Sequence, residues 1–255
     1  MFSKKVIIQL EKKDDTIHLE PISDIHIGHA GFDEDLYKRR IKAICKDNNR
    51  YTFFGGDALD AITTYDKRFN PDMSIEHDID NQRQKWQDMT QPLFDIHAKS
   101  RNEKVWGFFH GNHDYKIPQI SRAYLQNTMC TPNDLTFMGS RGVLGLEVRH
   151  NKKVLSQWSI LFIHGSGGGK PERMMEQMKH NAYYDIFLCG HLHQKRYQPE
   201  VVYDFDWSSG KIWERDIHLG NTGTFCKTLV EDSDGYMDRK NEIIGSQLGT
   251  LTLSF

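Results

Sequence analysis

Long apolar runs are missing from this sequence, and so is any marked imbalance of charge. The early stretch Val6-Ile7-Ile8-Gln9-Leu10 breaks into Glu11-Lys12-Lys13-Asp14-Asp15, too short and too quickly charged for a signal peptide. No later run approaches the length of a membrane-spanning helix, so no membrane partner is expected. Cysteine is scarce. Cys45, Cys130, Cys189 and Cys226 match no zinc-ribbon or CxxC spacing, and a chain with its own core needs no disulfide framework. Four reduced, mostly buried thiols in a cytoplasmic protein are the expectation. With 33 basic against 35 acidic residues the net charge is −2, which removes the strongest reason to expect non-specific nucleic-acid binding. No low-complexity linker divides the chain, and no internal repeat is visible.

What is present is a globular composition with 38% hydrophobic residues over 255 positions, enough to bury a sizeable core. Histidine is abundant, 13 in all, and it is the commonest metal ligand and the usual proton carrier near neutral pH. Strands and helices alternate through the first half. Val6–Leu10 and Ile17–Ile22 read as strands, Phe32–Asn48 as a helix with Tyr37, Ile41, Ile44 and Cys45 on one face. Tyr51–Phe54 reads as a strand and Gln82–Lys99 as a helix that Pro92 bends or divides. Lys104–His110 is a further strand, and Pro118–Thr128 a short helix. The second half is richer in strand: a hairpin of Leu144–His150 with Val154–His164, a helix at Pro171–Tyr183, the strand Ile186–Cys189, and a hairpin of Arg196–Trp207 with Lys211–Leu219. The order implies a mixed α/β fold; periodicity alone does not choose between two packed sheets and one.

The polar residues that carry chemistry gather after strands. Ile17–Ile22 runs into Ser23-Asp24-Ile25-His26, Tyr51–Phe54 into Gly55-Gly56-Asp57-Ala58-Leu59-Asp60, and Lys104–His110 into Gly111-Asn112-His113-Asp114. Ile160–Ile163 runs into His164, and Ile186–Cys189 into Gly190-His191-Leu192-His193. Ligands of open α/β sheets bind outside the carboxyl ends of strands. Imidazole nitrogen and carboxylate or amide oxygen, without thiolate, suit divalent transition metals. Asp24 and His26 are two apart, as are His191 and His193, so on extended strands each pair shares a face. Any one cluster alone would more often be a cap or a turn; five in succession are not explained that way.

In this order the motifs Asp-x-His, Gly-Asp-x-x-Asp, Gly-Asn-His-Asp, His and Gly-His-x-His resemble those of the calcineurin-like metallophosphoesterase superfamily. They span residues 24 to 193, and Asn221-Thr222-Gly223-Thr224 resembles a later step of its smaller members. The resemblance implies a single domain over residues 1–255, folded as a four-layer α/β/β/α sandwich of two mixed sheets. It also implies two divalent metal ions, Mn²⁺ first, with Fe, Zn, Co or Ni as alternatives. By motif position, Asp24, His26 and His193 would hold one ion, Asn112, His164 and His191 the other, and Asp57 would bridge them. His113 would protonate the leaving group, with Asp57 and Asp114 completing the catalytic set and Asp60 and Asp114 orienting neighbours. The implied activity is hydrolysis of a phosphate-ester substrate, a phosphodiester by preference, through a hydroxide bridging the metals.

Alternatives stay open at this stage. A metal-dependent DNA nuclease or a phosphomonoesterase would use the same motifs, and a nuclease would be expected to show a basic, aromatic-lined track. A non-catalytic scaffold on this fold would be expected to have lost ligands, and none is lost. A purely structural metal site would be expected to use cysteine. Gly165-Ser166-Gly167-Gly168-Gly169-Lys170 looks like a phosphate loop, but a Walker A motif needs glycine at 164 and Ser or Thr at 171, where this chain has His164 and Pro171. Lys170, Arg173, Arg122 and Arg141 remain candidates for holding a phosphate. His29 either lines the pocket or caps the following helix, and the polar stretch 62–81 is either substrate-facing or plain surface. The oligomeric state is left open.

Overall fold

Two sheets stand face to face. The computed structural model describes residues 1–66, 69–115, 122–167, 169–179, 183–230 and 246–255. In chain order these form β1 (Phe2–Gln9), β2 (His18–Leu19), α1 (Glu34–Lys46), β3 (Arg50–Gly55), α2 (Ile79–His97), β4 (Val105–Phe109), a single turn α3 (Asn112–Tyr115) and α4 (Arg122–Leu125). There follow β5 (Arg141–His150), β6 (Lys153–Ile163), α5 (Pro171–Lys179), β7 (Ile186–Cys189), β8 (Lys195–Asp206), β9 (Lys211–Thr222) and β10 (Leu253–Ser254). One sheet has the order β1-β5-β6-β7-β9-β8 and the other β10-β2-β3-β4. Both are mixed. β6, β7 and β9 run parallel, flanked by antiparallel β5 and β8, and β2, β3 and β4 run parallel beside antiparallel β10.

Three apolar clusters define four layers. Tyr37, Ile41 and Ile44 of α1 and Trp86, Met89 and Leu93 of α2 pack on Ile22, Phe54 and Phe108 of the smaller sheet. Between the sheets, Phe53 and Phe109 meet Leu144, Leu146, Phe162 and Leu188. On the far side Met175 and Met178 of α5 cover Leu161, Phe187, Ile217 and Leu219. This is the expected α/β/β/α sandwich of two mixed sheets. Burial of side chains this large contributes roughly 2–3 kcal/mol each.

Local sequence explains the elements and their departures from expectation. Asp33 caps α1 by accepting the Leu36 N–H at 2.9 Å. The β5–β6 turn is Asn151-Lys152, both left-handed (φ 49° and 65°), the two-residue geometry that matches strand twist. The strand expected over Ile17–Ile22 pairs regularly only at His18–Leu19, with a lone bridge from Ile22 to Phe54, although the Glu20 and Ile22 N–H groups on either side of Pro21 still donate to the Tyr51 and Phe53 carbonyls. Helix α2 is not divided at Pro92. Pro92 and Asp88, whose carbonyl it leaves without a helical partner, are both exposed, so that group is open to solvent rather than buried unpaired. Of the helix expected at Pro118–Thr128, residues 118–121 lie outside the described residues, and α4 continues into a π-helical turn, Gln126–Cys130. The helix expected to reach Tyr183 is described to Lys179.

The arrangement places the site. Phe53, Phe109 and Phe162 pack edge to face in a mutual triad, with centroids 4.7–5.3 Å apart. Each lies two residues before a polar strand end, at Gly55, Gly111 and His164. They form an apolar floor beneath the site.

Candidate metal centre

The five polar strand ends converge on one edge of the sandwich. Asp24, His26 and His193 place ligand atoms within 4.8 Å of one another, as do Asp57, His164 and His191. The two groups adjoin. His164 Nε2 is 3.0 Å from Asp57 Oδ2 and 4.0 Å from Asp24 Oδ1. His193 Nε2 is 3.4 Å from Asp24 Oδ1, and the Nε2 atoms of His26 and His193 are 3.0 Å apart. Asp57 lies between the groups, with Oδ2 also 4.0 Å from His26 Nε2.

Neither Asp-x-His nor His-x-His is an extended strand, contrary to the expectation from spacing. Asp24 (φ 53°), His26 (55°), Asp57 (50°), His191 (72°) and His193 (53°) are all left-handed. Such strain persists only where surroundings over-determine it, and it clusters at functional sites. Here the surroundings are explicit. The Asp24 N–H donates to the Gly56 carbonyl, and the Ile25 and His26 N–H groups both donate to the Asp57 carbonyl at 2.9 and 3.0 Å. The His191 N–H in turn donates to the Asp24 carboxylate at 3.0 Å.

Neighbouring groups orient the side chains. Gly55 O lies 2.7 Å from His164 Nδ1, which puts the proton there and aims Nε2 at the cluster. Asp60 Oδ1 sits 3.4 Å from His26 Nδ1 and orients that ring from behind. Asp60, His26 and His113 form a third close group, but His113 Nδ1 is engaged at 2.7 Å by the Asp60 backbone carbonyl. The His113 N–H donates to Asp57 Oδ1 at 2.8 Å, and its ring stands edge-on to His26 with centroids 4.6 Å apart. Asp114 is spent on backbone. Its Oδ2 accepts the N–H groups of Asp57 (2.7 Å) and Gly111 (2.9 Å), and its Oδ1 that of Leu59 (3.3 Å). Asp114 therefore ties two loops together rather than facing a reactant.

Charge in this buried cluster is redistributed. Burial disfavours the Asp24 and Asp57 carboxylates, yet the His164 imidazolium beside both, reinforced by other histidines, holds them below the usual range. Burial also works against the His164 imidazolium, but Asp57 and Asp24 overcome it and hold its pKa up at about 10. Burial and the neighbouring His113 and His193 push His26 down. Burial, then the Asp57 charge, pushes Asp114 up to about 7.

The residues fit divalent cations. The donors are imidazole nitrogens and carboxylate oxygens without thiolate. Asn112 adds a buried Oδ1 that has no hydrogen-bond partner among the described residues, an orphaned acceptor of the kind a cation satisfies. Glycine is required where loops cross. A Cβ on Gly111 would lie 2.0 Å from Asp57 Oδ1, and one on Gly56 (φ 94°) would lie 2.5 Å from Gly111 N.

The residues that brace the site carry no signal in the sequence that marks them as braces. Ser23 Oγ donates to Asp24 Oδ2 at 2.6 Å and meets Thr222 Oγ1 at 2.5 Å. Thr224 Oγ1 donates to the Asp24 carbonyl at 2.7 Å, and Asn221 Nδ2 to the Gly190 carbonyl at 3.1 Å. Asn221-Thr222-Gly223-Thr224 was visible as a motif, and its function is to lace the last strand end to the first. Segment 62–81, of which 67 and 68 lie outside the described residues, is not plain surface: Met73 and Ser74 are buried, and the Ala30 N–H donates to the Met73 carbonyl at 2.7 Å. His29 lies beside the cluster, its ring 6.5 Å from that of His26, and burial pushes its pKa down to about 4. His110 stacks on Phe137. Lys170, Arg173 and Arg141 are exposed, and the Arg122 side chain lies outside the described residues. Among the described residues no helix is long and apolar enough to cross a membrane.

No protein-family profile matches the chain, and no curated protein does. Solved structures do. One is a Thermotoga maritima protein determined by NMR, 14% identical over 82% of this chain and 85% of that one, at a TM-score of 0.33. Another is a metallophosphoesterase from Sphaerobacter thermophilus, 12% identical over 85% and 80%, at 0.37. A third is a calcineurin-like phosphoesterase from Bacillus subtilis, 13% identical over 71% and 64%, at 0.33.

Proposed function

We propose that this protein is a metal-dependent phosphoester hydrolase acting on phosphodiesters. The observation that carries this is the junction of Asp24, His26 and His193 with Asp57, His164 and His191, beside His113. Asp24, His26 and His193 would hold one divalent cation, Asn112, His164 and His191 a second, and Asp57 would serve both. When bound, such a pair lowers the pKa of water to yield a nucleophile near neutral pH and offsets charge on the phosphate oxygens.

The chain's own groups supply the rest. The Asp60 carbonyl fixes the His113 proton on Nδ1, so Nε2 is the atom that takes up a second proton and passes it to the departing oxygen. The Asp57 carboxylate accepts the His113 N–H, which ties the acid to the metal-holding group. Asp114 keeps the two loops in register through three backbone N–H groups. The Phe53–Phe109–Phe162 floor excludes water from below. Preference for a diester is supported by the resemblance of Gly-Asn-His-Asp and Asn-Thr-Gly-Thr to the bacterial and phage phosphodiesterase branch; Mn²⁺ and a cytoplasmic setting are the accompanying expectations.

The test compares bis(p-nitrophenyl) phosphate, p-nitrophenyl phosphate and single-stranded DNA on metal-stripped protein with Mn²⁺ restored. Diester hydrolysis should dominate, and no hydrolysis of any of the three would defeat the proposal. His113→Ala should keep its metal content and lose at least about 100-fold in turnover. An unchanged rate would remove His113 from the mechanism.

A further inference from the structure

His29 belongs to neither proposed ligand group, yet its loop is fastened on both flanks. On one side the Ala30 N–H donates to the Met73 carbonyl at 2.7 Å and the Ile75 N–H to the Gly28 carbonyl at 2.9 Å. On the other the Lys227 N–H donates to the Gly31 carbonyl at 2.7 Å and the Asp33 N–H to the Phe225 carbonyl at 2.8 Å. Inside this clamp two groups converge on one ring nitrogen. The Gly31 N–H donates to His29 Nδ1 at 2.9 Å, and Cys226 Sγ lies 3.2 Å from the same atom.

An imidazole nitrogen that accepts an N–H carries no proton of its own, so the ring proton resides on Nε2. A backbone N–H cannot reverse its direction, so this tautomer is fixed by the fold. His29 is thus a rigid donor, only partly exposed. Its ring is 6.5 Å from that of His26, which in turn lies 4.6 Å from His113 and 4.9 Å from His193. A pinned N–H donor at the edge of a cluster built for phosphate has an evident acceptor.

We infer that His29 is a substrate-positioning residue whose Nε2–H donates a hydrogen bond to a non-bridging oxygen of the phosphoester. This rests on the phosphoester hydrolase assignment above. It also accounts for the packing of residues 73–75 on the 28–30 loop, since they then hold a substrate contact in place.

His29→Leu removes the donor and His29→Gln keeps an N–H. Both are loaded with Mn²⁺ and compared with the wild-type protein on bis(p-nitrophenyl) phosphate, and separately by calorimetric titration with inorganic phosphate. Loss of one such bond should raise KM and weaken phosphate binding about tenfold, with kcat and Mn²⁺ content little changed, and His29→Gln should recover most of the loss. Wild-type KM and phosphate affinity in His29→Leu would overturn the inference. So would a fall in Mn²⁺ content, which would make His29 a ligand, or an equal loss in His29→Gln at a wild-type melting temperature, which would make it packing. A wild-type chain that takes up no Mn²⁺ sinks the hydrolase proposal and this inference with it. A wild-type chain that binds Mn²⁺ and hydrolyses the diester, indifferent to His29→Leu, sinks the inference alone.

Discussion

Gly111→Ala is the sharpest single perturbation of this site, because one methyl group separates the fold from the chemistry. The added Cβ would lie 2.0 Å from Asp57 Oδ1, 2.5 Å from Asp57 Cγ and 2.6 Å from Asp57 N. Ordinary contact begins near 3.4 Å, so the carboxylate has to retreat by about 1.4 Å. The backbone beneath it cannot follow freely. The Asp57 N–H is held at 2.7 Å by Asp114, and the Asp57 carbonyl accepts from both Ile25 and His26. Overpacking of this kind costs roughly 1–3 kcal/mol, and loss of the Asp57–His113 hydrogen bond adds about 1. A chain of this size should lose about 5–10 °C in Tm.

The functional cost should be much larger than the loss of stability. Metal ligands tolerate displacements of only about 0.2 Å, and a 1 Å error in a reacting geometry costs on the order of 100-fold. Calorimetric titration of metal-stripped protein with Mn²⁺ should show fewer sites, or affinity weaker by tenfold or more, in a protein that still melts cooperatively. Gly145→Ala is the matched control. There the new Cβ meets only the Lys4 carbonyl, at 4.0 Å, and both stability and Mn²⁺ uptake should be preserved. Full uptake by Gly111→Ala with wild-type affinity would refute the placement of Asp57 in the metal site.

Three further outcomes follow from the same geometry. Asp57→Asn, which keeps an oxygen for the His113 N–H but removes the charge, should lose most of its Mn²⁺ by elemental analysis; two tightly held ions would sink the bridging role. In the metal-free protein His164 titrates near 10 instead of its ordinary value of 6.5. Its pairing with Asp57 and Asp24 therefore stabilises the fold fully below about pH 6.5, a contribution lost as pH rises towards 10. Metal ligation needs the neutral ring, so Mn²⁺ uptake at pH 7.5 should release about one proton from this residue, read as the buffer dependence of the binding enthalpy; no dependence would contradict the assignment. Thr222→Val removes the hydroxyl that meets Ser23 Oγ at 2.5 Å but leaves Ser23 its bond to Asp24, and should cost about 1 kcal/mol, seen as a small drop in melting temperature.

Much of this site could be read from the sequence because ligand chemistry is confined to few residue types and the strand ends that carry them come in a fixed order. Asp24, His26, Asp57, Asn112, His113, His164, His191 and His193 were all nameable on that basis. The braces were not. Gly55 and Asp60 act on His164 and His113 through backbone carbonyls, and a carbonyl leaves no mark in a sequence. Asp114 resembled a catalytic carboxylate, yet its oxygens are consumed by backbone N–H groups. Cys226 read as one of four reduced, mostly buried thiols, and its contact with His29 joins positions 197 residues apart. For the fold, the α1 face was plain from its spacing, whereas the continuity of α2 turned on which side of the helix Pro92 happened to face.

The larger surprise lies in the backbone. Spacing of two suggested extended strands, and the chain instead places Asp24, His26, Asp57, His191 and His193 in left-handed conformations, each costing roughly 1 kcal/mol or more. Aspartate tolerates that region better than most residues, which suits Asp24 and Asp57. Histidine visits the region more often than most residues too, but five such residues in one site still leave strain that must be offset locally. The offset comes from hydrogen bonds that run between strand ends: Asp57 to Ile25 and His26, and Asp24 to His191. No loop is therefore stable in its site conformation alone, since each supplies the partner that holds another. The site is a cooperative unit, and damage to one strand end should disturb the others before it disturbs the sheets beneath them.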